Sequence, residues 1–149
     1  MTAQMHERLL YEGQKISMAS EPLNQYLDLL GDRKFVAPHT ACWRGYLGSW
    51  EIRENRLYLI GLTAYVEGYQ EVGMDFLFPD QQEVFAGWFN GKIRIPTGEM
   101  LYYVHGGYGS IYEKDIILSF DKGVLIEKKE VDNYDKYQRQ LEEDSDLPF

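Results

Sequence analysis

The sequence predicts a mainly β fold, with α+β as the neighbouring class: antiparallel hairpins forming a meander, sandwich or open barrel, plus one short helix near the N-terminus. Three observations carry this. Four pairs of apolar-bearing runs flank turn residues, over 8–18, 48–62, 91–104 and 115–129. Aromatics are plentiful, with twelve Tyr, seven Phe and three Trp, and tyrosine suits a half-buried pleated surface with its ring in and its hydroxyl out. A helical leucine stripe is seen in a single early stretch. At 149 residues the chain is about one domain long and can hold a core without metal or disulfide staples. One β-rich domain is expected over 1–141, followed by an acidic, flexible tail over 142–149.

The elements follow in order. Arg8–Tyr11 and Lys15–Met18 flank Glu12–Gly13, a tight-turn signal. Ser20 reads as a helix N-cap and Pro22 as a first-turn residue. Leu23, Tyr26, Leu27 and Leu30 recur at the helical period, and Gly31 stops the helix. Asp32 to Gly45 reads as loop. Gly48–Arg53 alternates, turns at Glu54–Asn55 and returns as Arg56–Leu62; that return is apolar on both faces and so predicts a central strand. Residues 63–82 mix aromatics and carboxylates without a clear period, and 83–89 reads equally as strand or short helix. Gly91–Pro96 alternates, Thr97–Gly98 signals a turn, and Glu99–Val104 returns. Asp115–Phe120 and Val124–Lys129 flank a turn at Asp121–Gly123. Asn133–Leu141 has the composition of a short polar helix.

Charge and cysteine usage narrow the function classes. The net charge of −9 repels phosphate backbones, and the longest basic cluster is Lys128–Lys129, so nucleic acid is disfavoured as a partner. No run of about 18 apolar residues exists, so a membrane is disfavoured too. The polar N-terminus lacks the apolar core of a signal peptide, and Cys42 is the only cysteine; both predict a cytoplasmic protein.

Two stretches are unusual. Ala41–Arg53 holds two tryptophans, a tyrosine, the cysteine, two arginines and two glycines. His105–Ser110 holds three glycines in four positions, too many for a regular element. The second is not a phosphate loop, since it lacks the lysine and no helix follows. His39 and Cys42 make a metal-like half-site that His105 and a carboxylate such as Glu113 are available to complete, but with one Cys and no CxxC or HxxxH spacing neither metal nor cofactor is expected. Cys42 with His39 or His105 is a nucleophile and base only on paper, because nothing around it matches a known nucleophile motif. The set therefore leans away from an enzyme, and no catalytic residue is assigned. Arg44 beside Trp43 and Tyr46 can stack on aromatic faces or hold a carboxylate. The ligand-binding candidates are Trp43, Arg44, Tyr46, Trp88, His105, Tyr108, Tyr112 and Glu113.

Trp43-Arg44-Gly45-Tyr46-x-x-x-Trp50-Glu51-Ile52 and Tyr108-Gly109-Ser110-x-Tyr112-Glu113-Lys114-Asp115 together resemble a group of small bacterial proteins that carry both segments. The resemblance spans about residues 7–130. That group has no assigned activity, so the resemblance implies a bacterial, cytoplasmic setting and carries no site residue over.

The first functional expectation is a non-enzymatic interaction domain whose acidic surface binds a basic protein, as immunity proteins do. The alternative is a small-molecule or sugar-binding domain, or an enzyme on that scaffold. Its site would lie between the Trp43–Tyr46 and His105–Glu113 loops. A folded domain whose aromatics only build the core is the third. Open sheet edges leave a homodimer available.

Overall fold

The computed structural model describes residues 2–31 and 35–146. The chain is mainly β. Strands β1 (Glu7–Tyr11) and β2 (Gln14–Met18) precede helix α1 (Leu23–Leu30). Then come β3 (Tyr46–Arg53), β4 (Arg56–Val66), β5 (Gln70–Val72), α2 (Met74–Leu77) and β6 (Val84–Phe85). The chain continues as β7 (Gly91–Tyr102), β8 (Ile111–Asp121), β9 (Val124–Asp132) and α3 (Tyr134–Ser145). Among the described residues the nine strands form one sheet in the order β2-β1-β3-β4-β9-β8-β7, with β5 and β6 paired to β4 off that path. The sheet is not closed into a barrel. Its ends still touch just beyond β2, where Ala19 N–H donates to Arg94 O and Arg94 N–H donates to Ser20 Oγ.

Three of the four expected hairpins form: β1–β2, β3–β4 and β8–β9. The fourth does not. Residues 91–102 are one strand, β7, paired along β8. Gly98 makes a bulge instead of a turn: the register runs Thr97↔Lys114 and then Met100↔Tyr112, so Gly98 and Glu99 on β7 oppose Glu113 alone on β8. Bulge and turn both call for a glycine at positive φ, here +82°, so the local signal is shared. Pro96 is tolerated because β7 is an edge strand.

The sheet is mixed where antiparallel hairpins, in a meander, sandwich or open barrel, were expected. β1 runs parallel to β3, with Leu9 opposite Trp50. The chain between them carries β2, α1 and a loop, long enough for the crossover that parallel pairing needs. The central strand is β4, as its two apolar faces imply; it pairs with β3, β5, β6 and β9.

Helix α1 buries Leu23 and Leu27, and Tyr26 packs on Phe78 and Trp88. Two details of the expected helix change. Leu30 is half exposed, at the last turn where the helix leaves the core. Ser20 is not the cap, because its Oγ is used by Arg94 and Pro22 occupies the cap position without a side-chain bond. Residues 32–34 of the expected loop lie outside the described residues.

The core spans both halves of the sheet. Leu9, Trp50, Leu57 and Leu59 from β1, β3 and β4 share one cluster with Ile93, Ile95, Leu118 and Phe120 from β7 and β8. Helix α3 continues through Ser145, past residue 141, and Tyr102 Oη donates to Asp144 Oδ2 at 2.5 Å. Residues 147–149 of the expected tail lie outside the described residues. No helix of the described residues is long and apolar enough to cross a membrane.

Candidate functional site

Glu7 opens β1 on the same face as buried Leu9. The parallel register that sets Arg8 opposite Ser49 brings Glu7 beside Gly48. A Cβ on Gly48 would lie 2.6 Å from both Glu7 Oε1 and Trp50 Nε1, so only glycine leaves room for the carboxylate here. Glu7 is fully buried and accepts three hydrogen bonds. Gly48 N–H (2.8 Å) and Arg44 Nη2 (2.8 Å) reach Oε2, and Trp50 Nε1 (3.2 Å) reaches Oε1. Burial raises the Glu7 carboxyl above its ordinary value; Arg44, Gly48 and Trp50 oppose this by favouring the carboxylate. Burial is also the largest single influence on Arg44 and lowers it, but Glu7, joined by Tyr108 and Glu21, leaves the guanidinium above its ordinary value.

The Arg44 side chain is 5% exposed. Its Nη2 also donates to Met5 O at 2.9 Å, and the guanidinium lies 5.4 Å from the Tyr46 ring centre. Its Nε and Nη1 are buried and have no acceptor among the described residues. A buried donor without an acceptor costs about 1–3 kcal/mol. Those two groups are the unsatisfied chemistry of this region. Asp115 Oδ1 is a milder case, since it lies in an ion pair 3.1 Å from Arg94 Nε that is too misaligned to be a hydrogen bond.

A second chain of polar contacts runs alongside. Tyr46 Oη donates to Asn24 Oδ1 (2.7 Å), and Asn24 Nδ2 donates to Glu21 Oε1 (2.9 Å). Tyr108 Oη donates to Glu21 Oε2 at 2.5 Å. Burial holds both phenols above their ordinary range, reinforced at Tyr108 by the Glu21 hydrogen bond. His6 meets Tyr108 edge-on at 5.4 Å; burial lowers its imidazole, and Arg94 and Arg44 lower it further.

The N-terminal segment ties the two unusual loops together. Gln4 N–H donates to Gly107 O (2.9 Å), Met5 N–H donates to Ala41 O (2.8 Å), and Gln4 Oε1 accepts from Trp43 N–H (2.9 Å). Between the loops lies an open cavity of about 400 Å³, lined by Thr2, Gln4, Glu21, Trp43, Arg44 and Gly107. Trp43 is 66% exposed on its wall. A smaller hollow of about 70 Å³ shares Gln4 and Gly107 with this cavity and has His6, Arg94, Tyr108 and Tyr112 among its lining residues.

The eight candidates therefore separate. Trp43 and Arg44 line the larger cavity. Tyr46 is fully buried beside Arg44, and Tyr108 is tied to the cavity wall through Glu21. Tyr112 lines only the smaller hollow. Three lie elsewhere. Trp88 belongs to the core, stacked on Phe78 at 6.0 Å with its Nε1 donating to Pro22 O. His105 packs edge-on against Tyr103 at 4.5 Å. Glu113 sits at the β7 bulge, where its Oε1 accepts from Glu99 N–H. Glu7, Glu21, Gln4 and Thr2 were not among the candidates. For Glu7 a signal exists, a carboxylate in phase with Leu9 on the inward face of a strand.

Among the described residues no group of three or more His, Cys, Asp or Glu is placed to hold a metal. Cys42 is buried, its Sγ donates to Tyr46 O at 3.4 Å, and burial pushes its thiol up, away from the nucleophilic thiolate. Both Glu7 oxygens are enclosed by donors, so Glu21 is the carboxylate a ligand in the larger cavity meets. No family model, no curated protein and no solved structure matches the chain.

Proposed function

We propose that the chain is a small-ligand-binding domain whose site lies between the Trp43–Arg44 loop and the Gly107–Tyr108 loop. One observation carries this: the two loops frame a cavity of about 400 Å³ whose wall includes Arg44, a buried guanidinium with two donors that have no acceptor among the described residues. The volume is in the range of small-molecule sites, and an exposed aromatic with a few convergent polar groups is the usual lining.

A second reading rests on helix α3. It buries no residue, and with its C-cap Asp146 it presents Asp135, Glu142 and Glu143 to solvent, alongside Lys136 and Arg139, on a chain of net charge −9. This suits a basic protein partner.

One experiment separates the two. Amide and indole shifts of the labelled protein are followed while a small-fragment library, and then a lysine-rich peptide, is added. The small-ligand reading expects fragment shifts at the Trp43 indole and at the Gln4 and Gly107 amides. Fragments that perturb only other regions, or none that bind, defeat it. Peptide shifts confined to α3 support the second reading.

A further inference from the structure

We infer that the ligand of this cavity is a neutral, hydroxyl-rich molecule, a saccharide, lying on Trp43 with one of its oxygens accepting from Arg44. The inference rests on the small-ligand reading above and names the ligand class. Arg44 Nε and Nη1 require an acceptor. An anion would supply one, but Glu7 already neutralises Arg44 at 2.8 Å, and Glu21 adds a second carboxylate on the wall. A ligand carboxylate would then meet two negative groups and one positive one.

A cation fits no better. It would pair with Glu21 but has no lone pair for Arg44, and it would place like charge beside the guanidinium. A hydroxyl meets both needs, because it accepts from Arg44 and donates to a neighbouring carboxylate. Glu21 retains capacity for this. Each of its oxygens accepts one hydrogen bond, from Asn24 or from Tyr108, and a carboxylate oxygen has two lone-pair directions.

Trp43 supplies the remaining element. Its indole is 66% exposed on the cavity wall. An aromatic face is electron-rich and attracts the weakly positive C–H groups on one side of a pyranose ring. The Thr2 hydroxyl, which donates to Thr40 Oγ1 at 3.1 Å, keeps lone pairs for a further sugar hydroxyl. Arg44 lines the cavity with its Nε and Nη1 buried, so a local shift on binding is required to admit a ligand oxygen to them.

The test is saturation-transfer NMR on the full chain with a panel of neutral mono- and disaccharides at millimolar concentration. Glucuronate and glucosamine serve as the anionic and cationic counterparts. Binding of neutral sugars over both charged ones is expected. Trp43→Ala is expected to weaken binding about tenfold, as for an exposed stacking aromatic. This variant changes an exposed side chain, so its fold is checked simply by circular dichroism. Arg44→Lys keeps a cation for Glu7 but removes the Nε and Nη1 donors, and is expected to weaken binding while retaining the fold.

Preference for a charged sugar, binding unchanged in Trp43→Ala, or no saccharide bound at all overturns the inference. In the last case, fragments that still shift Trp43 and Gly107 leave the small-ligand reading standing with a different ligand class. The loss of both signals defeats the two together.

Discussion

Arg44 and Glu7 act as one unit. Each is nearly inaccessible, and each holds the other's charge in a place where water cannot. A buried pair adds little over an apolar pair of the same size, but breaking it strands a charge and costs about 3–5 kcal/mol. Glu7→Gln keeps the shape of the side chain and removes the charge facing Arg44. It also turns an amide N–H₂ toward the Gly48 or Trp50 donor. A loss of about 3–5 kcal/mol in urea unfolding is expected for it, whereas Glu7→Leu with Arg44→Met is expected to recover most of that loss. Losses that simply add would show that the two do not act as a pair. Arg44 stands out in the sequence by its aromatic neighbours, and Glu7 by its phase with Leu9, but nothing local says that the two meet. Glu7 lies 37 residues away, and the two meet only because β1 lies parallel to β3. No local pattern encodes that register.

At the scale of elements, the hairpins with short turns between their strands were legible because their signals are local. Alternation and a turn signal lie within a dozen residues of each other in β1–β2, β3–β4 and β8–β9, the turn being Glu12–Gly13, Glu54–Asn55 and Asp121–Gly123 in that order. The turn expected at Thr97–Gly98 was not, since a bulge uses the same glycine and only pairing with β8 decides between them. The stretch 105–110 was legible as irregular backbone, although Tyr103 and Val104, expected in a strand, lie beyond the end of β7; its meeting with Trp43 and Arg44 depends on the N-terminal segment running between them. Gly98 itself is a sharp probe. Its φ of +82° disfavours any side chain, and a Cβ would approach Glu113 Cβ to 2.9 Å. Gly98→Ala is expected to lose about 1–3 kcal/mol. Gly13, at φ +76° with nothing within 4 Å of a Cβ, is the matched control. Gly13→Ala carries the backbone strain alone, so the larger loss belongs at Gly98. Equal losses would mean that Glu113 moves aside freely and that the bulge is set by φ only.

The whole molecule has a narrow seam. β4 meets β9 at a single residue pair, Arg56↔Val124, and two backbone hydrogen bonds flank it, Leu57 N–H to Gly123 O and Leu125 N–H to Asn55 O. Among the described residues, strand pairing joins β7–β9 to the rest of the sheet only here, and the hydrogen bonds of Ala19 and Ser20 with Arg94 add a link at the sheet ends. Packing joins them more widely. Ile93, Ile95, Leu118 and Phe120 are no more than 4% exposed, and they are buried against the same cluster as Leu9, Trp50, Leu57 and Leu59. Fully burying such a side chain contributes about 1.5–3 kcal/mol. A detached β7–β9 would forfeit much of that for all four, more than a small meander can lose. One cooperative transition is therefore expected, and the tryptophans make it measurable. Trp43, Trp50 and Trp88 all precede β7, so their fluorescence reports on one side of the seam while far-UV circular dichroism reports on both. Coincident urea transitions by the two probes would establish a single unit. Dichroism persisting after the fluorescence change would show that β7–β9 folds by itself. The cavity depends on the answer, because Trp43 and Arg44 come from one side of the seam and Gly107 from the other. If the two sides unfold together, any ligand seated there raises the midpoint of both probes alike, by mass action on one folded state.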